Sequence, residues 1–361
     1  MRNLIFNRVL GAALAFVLAG CSTGSARQPA SPPNAGLTAT NAPAPQPYMR
    51  IARPDTNIVQ LQIAARRFVP ARHRGPVLWL VGTSHVGELE YYHALQKLLD
   101  AQTVVLYEGV NADAHPRHVG KPGAPPRDPP APAPAPPRTT GTNQNFSMQD
   151  TLATSLGLVF QLNAIDYDRT NFLNSDLSVL QLQRIMIGDP NAVPAAPGEQ
   201  GRSNHSLDAL LQIMDGSSFL GSIFKMGLQF IGSNPQLQAI TKLTFIETLG
   251  RLKGDFSGMR GLPPDMKELL KVLIESRNQN VIEDIKTELG VVPRNGTISV
   301  FYGTGHMDDM ERRVIRELNY QPAGDVWFTA FSVDVRKTGL SPGELESMRS
   351  MIQWQLDQMQ Q

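Results

Sequence analysis

Between residues 59 and 109 the chain changes its hydrophobic period twice. Val59 to Phe68, reading VQLQIAARRF, alternates well enough for a strand with one buried face. PVLWLVG (76–82) and TVVLYEG (103–109) are short continuous apolar runs, the pattern of strands buried on both faces. Between them, ELEYYHALQKLLDA (88–101) places Leu89, Tyr92, Leu95 and Leu99 at helical spacing. Strand, helix and strand within about 30 residues predict a βαβ unit with a right-handed crossover, its two strands partners in one sheet.

The same reading continues downstream. Residues 147–162 look helical, NAIDY (163–167) reads as a strand end, and SDLSVLQLQRIM (175–186) starts a helix with Ser175 or Asp176 as its cap. Residues 206–260 are mostly apolar, with Phe219, Ile223, Met226 and Phe230 at helical intervals, and predict a helical cap packed on the sheet. DMKELLKVLIESRNQNVIEDIKTEL (265–289) predicts one long or two abutting helices ending at Gly290, TISVFYG (297–303) a buried strand, DDMERRVIREL (308–318) a helix and VWFTAFSV (326–333) a closing strand. In SPGELESMRSMIQWQLDQM (341–359), Ser341 with Glu344 forms a capping box around Pro342, and Leu345, Met348, Ile352, Leu356 and Met359 make one apolar stripe. The expected class is α/β, a central mixed but mostly parallel sheet flanked by helices, with a helical cap insertion.

Composition adds organisation. Arg2 and Arg8, an apolar run from Val9 to Leu18, and VLAGC ending at Cys21 have the layout of a secretory signal over residues 1–20. These residues resemble the lipobox of bacterial lipoproteins, which implies cleavage before Cys21, lipid including palmitate on that residue, and a membrane partner reached through it. Ser22 rather than Asp after the cysteine points to the outer membrane, facing the periplasm. Residues 21–50 have the Pro, Ala and Ser content of a tether. Ten prolines between Pro116 and Pro137 mark an insertion over residues 112–146, inside an α/β domain spanning 51–340 and followed by the C-terminal amphipathic helix 341–361.

Loss of Arg2 and Arg8 takes 33 basic residues to 31 against 32 acidic ones, so no basic surface is expected and nucleic acid is not a partner. The single cysteine is committed to the anchor, so any metal must be held by His, Asp and Glu.

The candidate chemistry lies in two near-identical tetrapeptides, GTSH at 82–85 and GTGH at 303–306, each between a buried strand and a helix. Ligands of open α/β sheets bind at that strand end. Glycine permits the turn, Thr or Ser can cap the helix, and the histidine projects from the turn. Glu108 ends the strand expected beside the one carrying GTSH. His85, Glu108 and His306 therefore form a two-histidine, one-carboxylate set suited to zinc, manganese, cobalt or iron. Asp166, with Asp168, Asn171 and Asp176 nearby, is a candidate further ligand, base or substrate contact. His73, His93, His115, His118 and His205 read as solvated.

VLWLVGTSHVG, LLDAQTVVLYEG, SRNQNVIEDI and ISVFYGTGHMDDMERRVIREL together resemble the Tiki superfamily, which joins TraB/PrgY/GumN-type proteins with erythromycin esterases and ChaN-like haem-binding lipoproteins. The resemblance covers about a quarter of the chain. It implies a paired-histidine site in an α/β fold, with metal-dependent protease activity among Tiki members proper. His85 and His306 match the two GxxH histidines, Glu108 the strand-end acid, and Arg277 with Asn278 the Arg-Asn pair. The implied function is a lipid-anchored envelope hydrolase acting on a peptide or ester bond, with His85, Glu108, Arg277 and His306 catalytic and Asn278 touching substrate, to which the residue pattern itself adds Asp166. A metal-free variant makes His85 the general base and Arg277 the electrostatic clamp. The alternative class is a haem- or iron-binding lipoprotein, for which Tyr107, Tyr167 and Tyr302 are candidate axial ligands; a structural envelope protein is a further one.

Overall fold

The computed structural model describes residues 47–72, 74–109, 148–177, 181, 227–252 and 272–360. The expected signal segment with Cys21, nearly all of the expected tether, the Pro-rich stretch, the helix expected after Asp176 and much of the expected cap lie outside these residues.

Seven strands form one sheet: β1 (Met49–Ala52), β2 (Ile58–Pro70), β3 (Val77–Thr83), β5 (Val104–Tyr107), β7 (Phe172–Asn174), β8 (Thr297–Gly303) and β9 (Tyr320–Asp334). β3, β8, β5 and β7 lie side by side and all parallel, while β2 pairs antiparallel with β1, β3 and β9. A two-residue pair, β4 (Val86–Gly87) with β6 (Val159–Phe160), stands apart. The helices are α1 (Leu89–Asp100), α2 (Met148–Ser155), α3 (Pro235–Leu249), α4 (Arg277–Leu289), α5 (Met307–Glu317) and α6 (Pro342–Gln360). The class is α/β, a mixed sheet flanked by helices, as its apolar runs require.

The runs are continuous because each parallel strand feeds two cores. Val105 and Phe301 point to one face, packed by Leu95 and Leu99 of α1, Leu243 and Ile246 of α3, and Ile352 and Leu356 of α6. Leu106, Val300 and Tyr302 point to the other, covered by Val281, Ile282 and Ile285 of α4 and Met307, Met310 and Val314 of α5. Each buried leucine or isoleucine contributes about 1.5–3 kcal/mol.

Four details differ from the sequence reading. β8, not β5, is the neighbour of β3, so the late strand enters the middle of the sheet. Within 163–177 the strand is FLN (172–174), not NAIDY, fixed on β5 by Val105 N–H to Asn171 O at 2.7 Å and Ser175 N–H to Tyr107 O at 3.1 Å. With two apolar residues it carries too little pattern to be seen. The helix expected over 147–162 stops at Ser155, where Gly157 at φ 60° allows Leu158 N–H to return to Ala153 O at 2.8 Å. Finally, Leu89 and Phe230, placed in apolar stripes, are exposed, and Tyr91 takes the buried position on α1.

The C-terminal capping box is present: Ser341 N–H and Oγ–H both donate to Glu344 Oε2 at 2.9 Å, and Glu344 N–H donates to Ser341 Oγ at 3.3 Å. Leu345, Met348, Ile352 and Leu356 dock α6 on the body. Ser341→Ala is expected to cost about 1 kcal/mol, read as a lower urea midpoint at unchanged slope; an unchanged midpoint would show that packing alone holds the helix.

Candidate active site

All four parallel strands end on one edge, and each delivers a polar side chain there. β3 leads to His85, β8 to His306, β5 to Glu108 and β7 to Asp176. The register sets Thr83 opposite Gly303 and Tyr107 opposite both Phe301 and Asn174, so the four strand ends are level. The two GTxH turns also touch: Thr304 Oγ1–H donates to Thr83 O at 3.3 Å. A Cβ on Gly82 would stand 2.8 Å from the Thr304 methyl, so glycine is needed here for close approach. On Gly303 a Cβ would lie 3.3 Å from Glu108 Oε2 and 3.7 Å from His85 Nε2, which puts both groups over one α-carbon.

The expected Thr and Ser helix caps are not made. Ser84 Oγ–H donates instead to Val86 O at 2.8 Å, and Tyr92 OH holds Ser84 O at 2.9 Å, closing the first turn on itself. β4 follows at once and pairs with β6, and Gln161 N–H donates to His85 O at 2.9 Å.

Arg277, the first residue of α4, ties the carboxylates together. Its Nε and Nη2 donate to Asp176 Oδ1 and Oδ2 at 2.8 and 2.5 Å, and Nη2 also donates to Glu108 Oε1 at 2.7 Å. Nη1 faces His306 Nε2 at 3.4 Å. The Asp176 side chain is wholly covered and also accepts N–H from Gly109 and Leu177. Burial alone would raise the Glu108 pKa, but Arg277, the two histidines and the Gly303 N–H, 2.7 Å from Oε2, hold it well below the usual carboxylate range. The Arg277 guanidinium is correspondingly held charged by Glu108 and Asp176 against its own burial.

Each histidine has its ring orientation set by a side-chain amide. His306 Nδ1 stands 2.7 Å from Asn278 Oδ1, and the Asn278 amide is fixed because its Nδ2 donates to His306 O and Asp309 Oδ2. His85 Nδ1 stands 3.3 Å from Gln161 Oε1, while Gln161 Nε2 donates to Tyr167 OH at 2.7 Å. In both rings the proton therefore belongs on Nδ1, and Nε2 keeps a lone pair. His306 is buried against Tyr302, whose ring meets it edge-on with centroids 5.3 Å apart; His85 is exposed. Burial pushes the His306 pKa down to about 4, with the Arg277 cation acting in the same direction and Glu108 opposing.

Of the residues singled out from sequence, His85, Glu108, Arg277 and His306 meet here. Asn278 is fully buried and holds the His306 ring, so it is placed to position that ring rather than to touch substrate. Asp166 does not reach the cluster; it is exposed, capping Asp168 N–H and pairing with Arg169. The aspartate of that segment in the cluster is Asp176, legible in sequence only as a helix cap. Gln161 had no signal at all. Tyr302 is buried and donates to Ser175 O at 2.8 Å rather than facing the rim, while Tyr107 and Tyr167 form a wall beside Gln161 with ring centroids 5.0 Å apart.

Arg277 stands against two of the three groups, His85, Glu108 and His306, that the sequence offers to a divalent ion. Glu108 Oε1 and His306 Nε2 are 3.8 Å apart. Among the described residues no group of three His, Cys, Asp or Glu that could hold a metal ion is found. No helix among the described residues is long and apolar enough to cross a membrane. Comparison with family models, curated proteins and solved structures gives no match.

The depressed His306 pKa links stability to pH. In the unfolded chain His306 protonates near 6.5, while in the fold it resists protonation to about 4, so acid favours unfolding as pH falls through that window. The loss is on the order of 3 kcal/mol, with Glu108 adding to it below the ordinary glutamate range. His306→Gln is expected to flatten the loss between pH 6.5 and 4 in urea titrations; equal slopes in both proteins would show that His306 does not carry it.

Proposed function

We propose that the site hydrolyses a peptide or ester bond without a metal, with His85 as general base and Arg277 as the oxyanion clamp. The observation that carries this reading is the clamping of Arg277. Two carboxylates take Nε and Nη2, which leaves Nη1 as the edge from which an N–H can meet a ligand oxygen, between His306, whose Nε2 accepts from it, and His85, whose Nε2 lone pair is available.

Water attacks the carbonyl carbon as its proton passes to His85 Nε2, the carbonyl π pair moves to oxygen, and that oxygen is held by Arg277 Nη1. Collapse of the tetrahedral intermediate expels the alcohol or amine, which takes the proton back from His85. His306 stays neutral and keeps Nη1 in place by accepting from it. The Tyr107 and Tyr167 wall takes an apolar group of the substrate. The resemblance to the Tiki superfamily supports hydrolysis, and the lipobox-like segment supports a domain held to the outer membrane through lipid on Cys21.

The test is a panel of fluorogenic peptides and chromogenic esters assayed before and after exhaustive chelation. Activity is expected to survive chelation and to fall about 100-fold or more in His85→Ala and in Arg277→Lys. Activity abolished by chelation and restored by zinc, manganese, cobalt or iron would overturn the metal-free mechanism. A panel on which the folded protein hydrolyses nothing would overturn the proposal itself.

A further inference from the structure

Away from that site, three arginines converge on one carboxylate. Arg53 lies just after β1, Arg251 just after α3 and Arg349 on α6, and all three donate to Glu247 of α3. Glu247 Oε1 accepts Arg53 Nη2 and Arg349 Nε, both at 2.8 Å; Oε2 accepts Arg53 Nη2 at 3.2 Å and Arg251 Nη1. The Glu247 side chain is wholly buried, whereas those of Arg53, Arg251 and Arg349 are 42%, 21% and 23% exposed. The carboxylate forms the floor and the guanidiniums reach toward water.

One cation suffices to neutralise Glu247, so the cluster carries excess positive charge. Glu346, 73% exposed and 4.0 Å from Arg349 Nη1, offsets only part of it. Three guanidiniums sharing one acceptor repel one another, and each keeps N–H groups that Glu247 does not take. A tetrahedral oxyanion supplies both the missing charge and acceptors matched to planar guanidinium forks. We infer that Arg53, Arg251 and Arg349 form a binding site for a phosphate-bearing anion, either a soluble phosphate compound or a lipid headgroup.

Removing any one arginine leaves Glu247 two partners, so Arg53→Gln and Arg349→Gln are expected to fold. The measurement is the rise in Tm with inorganic phosphate against chloride at matched ionic strength, together with calorimetric titration of phosphate. Phosphate is expected to stabilise where chloride does not, and each substitution to weaken its binding about tenfold. Glu247→Gln removes the internal competitor and is expected to tighten phosphate binding about tenfold, the sign opposite to that of a cluster serving only to tie three segments together. Equal effects of phosphate and chloride, or weaker phosphate binding in Glu247→Gln, would overturn the inference. Sedimentation of the Cys21→Ser chain with phosphatidylglycerol vesicles, lost in Arg53→Gln, would identify a lipid headgroup as the source; phosphate binding without sedimentation would identify a soluble one.

Discussion

The parallel register of β3 against β8 is the constraint on which the site rests. Thr83 opposite Gly303 puts the two GTxH turns side by side, and a slip of one residue would exchange the faces of Val300, Phe301 and Tyr302 between the two cores. Thr304 closes over Gly82 and bonds Thr83 O, so the turns themselves reinforce the register. Because β8 enters between β3 and β5, His85 and Glu108 gain their common floor, Gly303, only when a strand from the last third of the chain is in place. The site is thus a product of the whole sheet and not of the local βαβ unit.

Charge balance in the cluster is equally constrained. Arg277 is surrounded by two carboxylates, and burying such a group costs more than one ideal ion pair returns unless the remaining oxygens are also bonded. They are: backbone N–H groups of Gly303, Gly109 and Leu177 complete Glu108 and Asp176. Burial keeps His306 neutral despite Glu108 beside it, and a protonated ring would set a second cation 3.4 Å from Arg277 Nη1.

Sequence reading found the layered class and the motif pair because both are written in hydrophobic period and repetition. It did not find the strand order, since two continuous apolar runs flanking a helix look the same whether they are neighbours or separated by a third strand. β7 escaped because three residues with a polar end rely on pairing with β5, not on pattern. Asp176 and Gln161 were missed for different reasons. Asp176 precedes an apolar run, which is also the signature of a helix cap; Gln161 meets His85 only because β4 and β6 pair over two residues each. Asp166 is favourably placed only if its segment is a strand, and with the strand at 172–174 the aspartate that reaches Arg277 lies ten residues on.

The near-identity of the two tetrapeptides conceals a division of labour. Both histidines have Nδ1 set against an amide oxygen and Nε2 left as an acceptor, yet the amides come from different kinds of support. Asn278 follows Arg277 on α4, so one helix turn fixes both the guanidinium and the buried imidazole that accepts from it. Gln161 is delivered by a two-stranded ribbon to an exposed ring, at the longer separation of 3.3 Å. A buried imidazole with its pKa near 4 is a weak base and a stable acceptor, suited to holding Arg277 steady. The exposed ring is open to water and to a departing proton. The repeated motif therefore yields two different turns, one running into β4 and one into a short 3-10 turn ahead of α5, and burial of the second copy alone makes its histidine a support for Arg277, while the exposed first is the ring to which the proposed hydrolysis assigns the proton transfer.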